Sequence, residues 1–168
     1  MKILVLSDSH ASLRFMRSAV LATKPDAVIH LGDYYDDGET LAEENPNTLF
    51  YQVPGNCDRY RCPIHAREIL CLCVGGVRLY MTHGHRHGVK SGLGGVISAA
   101  RSEGAQAALF GHTHEAVCFR EPDGLWVLNP GSCGHAGGSA GVIETRNKEI
   151  SACYLIGQAD VDALLKPY

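Results

Sequence analysis

No run of apolar residues in this 168-residue chain approaches the ~20 needed to cross a bilayer, so no membrane span is expected. An excess of one charge is missing too. Fifteen Lys and Arg face 18 Asp and Glu, leaving a net charge of −3 with no long basic tract. Nonspecific binding to a nucleic-acid backbone is therefore not expected as the main activity. A secretory leader is not expected either, because the apolar stretch Ile3 to Leu6 is too short and Asp8 follows almost at once. Paired cysteines are absent in pattern: the seven cysteines are odd in number and scattered, as suits free thiols in a reducing, cytoplasmic setting. Cys57, Cys62 and His65 lie near one another in sequence but lack a second close pair and a fourth ligand, which argues against a structural zinc site. Repeats, linkers and low-complexity tracts are also missing. One domain over residues 1–168 is the economical expectation.

What is present is a regular alternation of short apolar runs and turn residues. Lys2 to Ser7 reads as a strand buried on both faces. Ser12 can cap a helix to about Lys24 that turns Leu13, Met16, Val20 and Leu21 to one side. Strands follow at Ala27 to Leu31 and Leu49 to Val53, with a short helix at Glu39 to Glu44 between them. This β-α-β-α-β order predicts a parallel sheet. Beyond it, Gly75-Gly76 splits two apolar runs as a hairpin would, and Cys71 and Cys73 should share one packed face. A helix is expected between Ser91 and Glu103. Strands are expected at Ala107 to Phe110, Ala116 to Arg120, Leu125 to Leu128, Gly141 to Thr145 and Ile150 to Leu155. Two packed sheets with helices outside would use them all.

The polar residues gather where strands end. Asp8 and His10 follow the first strand, Asp33 the second, Asn56 and Asp58 the third. The strand ending at Thr82 delivers His83, His85 and His87, and the one ending at Phe110 delivers His112 and His114. Ligands of open α/β sheets bind beyond the carboxyl ends of strands. Oxygen and imidazole donors from five strand ends therefore predict a metal centre. In extended chain, His112 and His114 would project the same way, ~6.6 Å apart. Gly32, Gly55, Gly84 and Gly111 flank the donors and permit tight turns. His30, His65 and His135 are read as packed or surface histidines, His30 as a hydrogen-bonded one in mid-strand.

Taken together, Asp8-Ser9-His10, Gly32-Asp33, Gly55-Asn56-Cys57-Asp58, Thr82-His83-Gly84-His85 and Gly111-His112-Thr113-His114 resemble the calcineurin-like metallophosphoesterase superfamily, in particular its small bacterial and archaeal phosphodiesterases. The resemblance runs from Asp8 to Ser132. It implies a four-layer α-β-β-α sandwich of two mixed sheets and a site for two divalent ions, Mn²⁺ foremost, with Ni²⁺, Zn²⁺, Fe²⁺ or Co²⁺ as alternatives. By analogy Asp8, His10, Asp33 and His114 would hold one ion. Asp33, Asn56, His83 and His112 would hold the other. Many relatives place a histidine after the Asn; here that place is Cys57, a poorer match to a leaving-group acid. Asp58, His85 and water are open candidates for that role. Two carboxylates among neutral ligands would offset half the charge of two dications, leaving about +2 to attract a phosphate. The resemblance thus implies hydrolysis of a small phosphodiester by a metal-bridging hydroxide. A phosphomonoesterase or a non-catalytic scaffold on the same fold stands as an alternative, and a homo-oligomer is possible. Arg59, Arg61, Arg86 and His87 lie beside the motifs and are candidates to grip the substrate.

Overall fold

The computed structural model describes residues 1–135 and 137–166. Three parallel strands lie side by side, β1 (Lys2–Leu6), β2 (Ala27–His30) and β3 (Leu49–Gln52). Two helices connect them, α1 (Leu13–Thr23) and α2 (Tyr35–Glu44). A second sheet begins with the antiparallel hairpin of β4 (Ile69–Val74) and β5 (Val77–Thr82), turning through Gly75 and Gly76 at φ 62° and 82°. Both angles are those of the turn whose twist matches paired strands. Helix α3 (Gly94–Ser102) leads to β6 (Ala107–Leu109), and β7 (Val117–Arg120) and β8 (Trp126–Asn129) complete that sheet in the order β4-β5-β6-β8-β7. The chain then returns to the first sheet as β9 (Ser139–Arg146) and β10 (Glu149–Gly157), giving β10-β9-β1-β2-β3. Helix α4 (Gln158–Leu165) follows.

The period of two in the strands explains the layering. In β1, Ile3 and Val5 enter a core shared with Leu79 and Met81 of β5 and Leu109 of β6, so this core lies between the sheets. Leu4 and Leu6 point the other way, onto Phe15, Met16 and Ala19 of α1, Leu41 of α2 and Val161 of α4. On the far side Ala108 and Phe110 pack with Val96 and Ala100 of α3. The order helices, sheet, sheet, helix makes the four-layer sandwich of two mixed sheets. Lys2 to Leu6 is apolar throughout because both of its faces are covered.

Several local expectations are corrected. Leu21 is 63% exposed, and Phe15 and Ala19 join the expected Met16 and Val20 on the buried face of α1. Ser12 occupies the residue before α1, but its side chain makes no capping bond. Helix α2 starts at Tyr35 rather than Glu39, and α4 had no counterpart in the sequence reading. Cys71 is half-buried, whereas Cys73 is exposed, because β4 is an edge strand.

Candidate metal centre

The carboxyl ends of β1, β2, β3, β5 and β6 converge on one edge of the sandwich. Asp8, His10, Asp33 and His114 each present one donor atom there, and these four atoms all lie within 4.8 Å of one another. His10 Nε2 faces His114 Nε2 at 3.3 Å, and His114 Nε2 lies 3.0 Å from Asp8 Oδ1. Beside this group is a second one centred on His83 Nε2. That nitrogen is 3.1 Å from Asn56 Oδ1, 3.2 Å from His112 Nδ1 and 3.5 Å from Asp33 Oδ1. Asp33 therefore belongs to both groups. His112 and His114 divide between them, although not as neighbours on an extended strand. Both have left-handed backbone, at φ 68° and 61°, so the extended-chain expectation is replaced by a tight loop.

One atom tests whether the first group suits a cation. Asp8 is fully buried, yet its Oδ1 has no hydrogen-bond partner. His114 Nε2 is 3.0 Å away but makes no hydrogen bond to it. The other oxygen, Oδ2, accepts from Ser7 Oγ at 2.5 Å and from the His112 N–H at 3.1 Å. A buried carboxylate oxygen without a donor is costly. Its own neighbours are imidazole nitrogens. Donors bonded to one ion at ~2.1 Å lie roughly 3.0–3.4 Å apart along the edges of a coordination polyhedron. The pairs at 3.0–3.5 Å fall in or close to that range, while His10 Nε2 and Asp8 Oδ1 stand 4.0 Å apart, and the oxygen and imidazole set suits divalent transition ions rather than closed thiolate coordination.

The surrounding chain fixes these donors. His83 Nδ1 lies 2.8 Å from the Leu31 carbonyl, which can only accept, so the proton sits on Nδ1 and Nε2 turns its lone pair to the site. His114 Nδ1 lies 2.8 Å from His135 Nε2. Asp33 Oδ1 accepts from the Cys57 N–H at 2.9 Å. Burial pushes the Asp33 carboxyl up, but His83 and that N–H outweigh it and hold it below the usual carboxylate range. Burial, and then the neighbouring His83, lowers the basicity of His85 and His112 and favours neutral imidazole, the ligand form.

Two glycines beside the donors serve a purpose other than the turning freedom expected of them. A Cβ on Gly55 would lie 2.1 Å from Asp33 Oδ1, and one on Gly111 would lie 2.0 Å from Ser7 Oγ and 2.7 Å from Asp8 Oδ2. Neither has positive φ. They leave room for the carboxylates.

The expected leaving-group candidates are placed differently from one another. Asp58 is fully buried and both its oxygens are occupied. Oδ2 accepts from the N–H groups of Asp33 and Gly55, and Oδ1 from those of Tyr34 and Tyr35. No oxygen is free to face a substrate, which argues against Asp58 among the three open candidates for proton donor. Cys57 is exposed; partial desolvation and the Asp33 carboxylate push its thiol up to about 11. His85 stands against His83 and His112, with ring centroids 5.5 and 6.1 Å apart. His87 is turned away, bonded through Nε2 to Tyr80 Oη at 2.9 Å. Arg61 pairs with Asp36 and stacks on Tyr34, and Arg86 pairs with Glu68. Arg59 makes no ion pair among the described residues. It lines a cleft of about 460 Å³ that opens beside Asn56 and His85.

Two readings of lone histidines are revised. His30 is buried, as expected, but neither ring nitrogen has a hydrogen-bond partner. His135, read as a packed or surface residue, reaches the first donor group, with its ring 4.7 Å from that of His114 and 5.9 Å from that of His10. The Cys57, Cys62 and His65 trio gathers into no ligand cluster among the described residues.

The family model for the calcineurin-like phosphoesterase superfamily domain matches residues 1–148. Phosphodiesterase MJ0936 of Methanocaldococcus jannaschii is 30% identical over 171 residues, covering 89% of this chain and 96% of that protein. A solved archaeal phosphodiesterase is 26% identical and superposes with a TM-score of 0.71 over 94% of this chain and 99% of its own. Vps29 of Entamoeba histolytica, solved with Zn²⁺, reaches 0.73 at 18% identity over the same shares, a likeness of fold. Fold, donor cluster and family match agree, and the chain belongs to the calcineurin-like phosphoesterase superfamily, the phosphoester hydrolases whose chemistry depends on a metal site.

Proposed function

We propose that the chain is a phosphodiesterase working with two divalent ions, one held by Asp8, His10, Asp33 and His114, the other by Asp33, Asn56, His83 and His112. The observation that carries this reading is the unpartnered, buried Asp8 Oδ1 inside one of two donor groups that share Asp33. Bound there, the ions would supply Lewis acidity toward the phosphoryl oxygens and an activated water. The diester preference rests on the 30% identical relative, a phosphodiesterase by name.

The chain's own groups do the rest. The His83 tautomer, fixed by Leu31, and the Asp33 carboxylate, held by the Cys57 N–H, set the donors before any ion arrives. Asp58 ties the Asp33 loop to the Asn56 loop through four backbone N–H bonds and acts as a positioning residue. The cleft beside Asn56 would receive the ester substituent. Arg59, which lies over the Tyr60 ring and makes no ion pair among the described residues, supplies a cation there, and Ile64, fully exposed, an apolar surface. His85, facing the same cleft, and solvent are the remaining proton sources for the leaving group. Mn²⁺ is the first metal to test, and the chain would act as a soluble cytoplasmic enzyme.

The test is metal analysis of the purified protein, with hydrolysis of an aryl phosphodiester and an aryl phosphomonoester measured before and after chelation. The expected result is about two divalent ions per chain, diester cleavage above monoester cleavage, and loss of both on chelation with recovery on adding Mn²⁺. Asp33→Ala should abolish hydrolysis and lower the content of both ions. Full activity in that variant would overturn the shared role of Asp33.

A further inference from the structure

Cys118 in β7 and Cys153 in β10 belong to different sheets, each on the edge strand. Their sulfurs nevertheless lie 3.4 Å apart, and the Cys118 thiol also lies 3.4 Å from the Cys153 carbonyl. Both side chains pack against the core between the sheets, and both remain half-buried rather than sealed. A disulfide has its sulfurs ~2.05 Å apart, so closure needs about 1.3 Å of approach, within reach of small side-chain rotations. No other pair of cysteine sulfurs is in contact among the described residues.

We propose that Cys118 and Cys153 form a redox-convertible dithiol that fastens the two sheets together along the β7–β10 edge when oxidised. The oxidant would be a small-molecule disulfide such as oxidised glutathione. The Cys118 thiolate attacks one sulfur of that disulfide, its S–S bond breaks, and one small thiolate leaves. The Cys153 thiol gives up its proton and attacks the Cys118 sulfur, and the second small thiolate leaves as the protein disulfide forms. The two protein thiols lose two electrons, the small disulfide gains them, and the two leaving thiolates take up the two protons. Cys118 donates its S–H toward the Cys153 sulfur, so the two thiols already face one another. Exposed Cys57 and Cys73 have no such neighbour and should stop at mixed disulfides.

The experiment uses the full chain, reduced and then incubated with oxidised glutathione. Remaining thiols are capped in denaturant, and the protein is digested without reductant for mass spectrometry. The expected product is a peptide pair joined through Cys118 and Cys153. The link closes a loop spanning 35 residues. A loop of that size should raise the melting temperature by about 10 °C. Reductant should reverse the rise, and Cys118→Ser and Cys153→Ser should lack it. Glutathione adducts on these two residues without the cross-link would overturn the proposal, as would a cross-link without a rise in melting temperature. If either serine variant fails to fold, the mass and melting data on the unaltered chain still decide. This result is independent of the metal reading, because neither cysteine belongs to the donor groups.

Discussion

Cys57 stands where the family resemblance leads one to expect a histidine, but what it gives the site is its backbone N–H to Asp33. An exposed thiol pushed up to about 11 holds its proton too firmly for efficient transfer near neutral pH. Cys57→Ala keeps the N–H, so kcat/KM for a diester should fall by no more than about 10-fold. A loss of several orders of magnitude would show that the sulfur is chemically required. His135 is the opposite case, a residue outside the motifs that touches a ligand candidate. His135→Ala should weaken divalent-ion binding by about 10- to 100-fold, measured by competition with a chromophoric chelator. Unchanged affinity would make the contact incidental. Asp8, His10, Asp33, Asn56, His83, His112 and His114 could all be picked out from the sequence, because each follows a strand in a dense local motif. His135 could not, because the turn after β8 carries it back to His114 by tertiary folding alone. No spacing in the sequence records that approach.

At the scale of elements, the start of α2 teaches the same lesson. Propensity placed it at Glu39, where helix-favouring residues begin. The helix begins at Tyr35 because the Asp58 carboxylate, from beyond β3, takes the Tyr34 and Tyr35 N–H groups. A capping residue more than twenty positions away lies outside any local window. Conversely, Ser12 had the right identity before α1 and makes no capping bond. Asp58→Ala should therefore strand four buried or half-buried N–H donors. The expected loss is at least ~3 kcal/mol, read from the urea midpoint of the metal-free protein. A change under ~0.5 kcal/mol would remove Asp58 from its proposed role. Helix α4 was not foreseen because it buries one side chain, Val161, and so shows almost no apolar period.

Across the whole molecule, the parallel half of the first sheet was legible because continuous apolar strands alternating with a helical period allow little else. The return of β9 and β10 to that sheet was not legible, since nothing in an alternating strand names its partner. The burial of the layers also sets a pH response. An imidazole in the unfolded chain takes up its proton near ~6.5. His30, buried and unpartnered between β2 and α2, resists protonation, because burial lowers its pKa more than Asp58, Asp8 and Asp37 raise it. Below that pH the unfolded state binds more protons, so stability falls as pH falls, by up to ~1.4 kcal/mol per pH unit for this one group. His85, His87 and His112 act with the same sign in the metal-free protein. Denaturant midpoints between pH 7.5 and 5 should show the decline, and His30→Gln should make it shallower. A slope that this substitution leaves unaltered would assign the effect elsewhere.

Five of the donor-bearing residues, Asp8, His10, Asp33, His112 and His114, hold φ between 46° and 68°. Each departs from the backbone basin a side chain prefers, at about 1 kcal/mol apiece. Their total, roughly 5 kcal/mol, rivals the whole margin of about 5–15 kcal/mol by which a typical domain stays folded. The donor-bearing loops thus carry a mechanical debt concentrated at one rim. The packed layers on either side must offset it, which makes this rim the first place expected to open when the core is weakened.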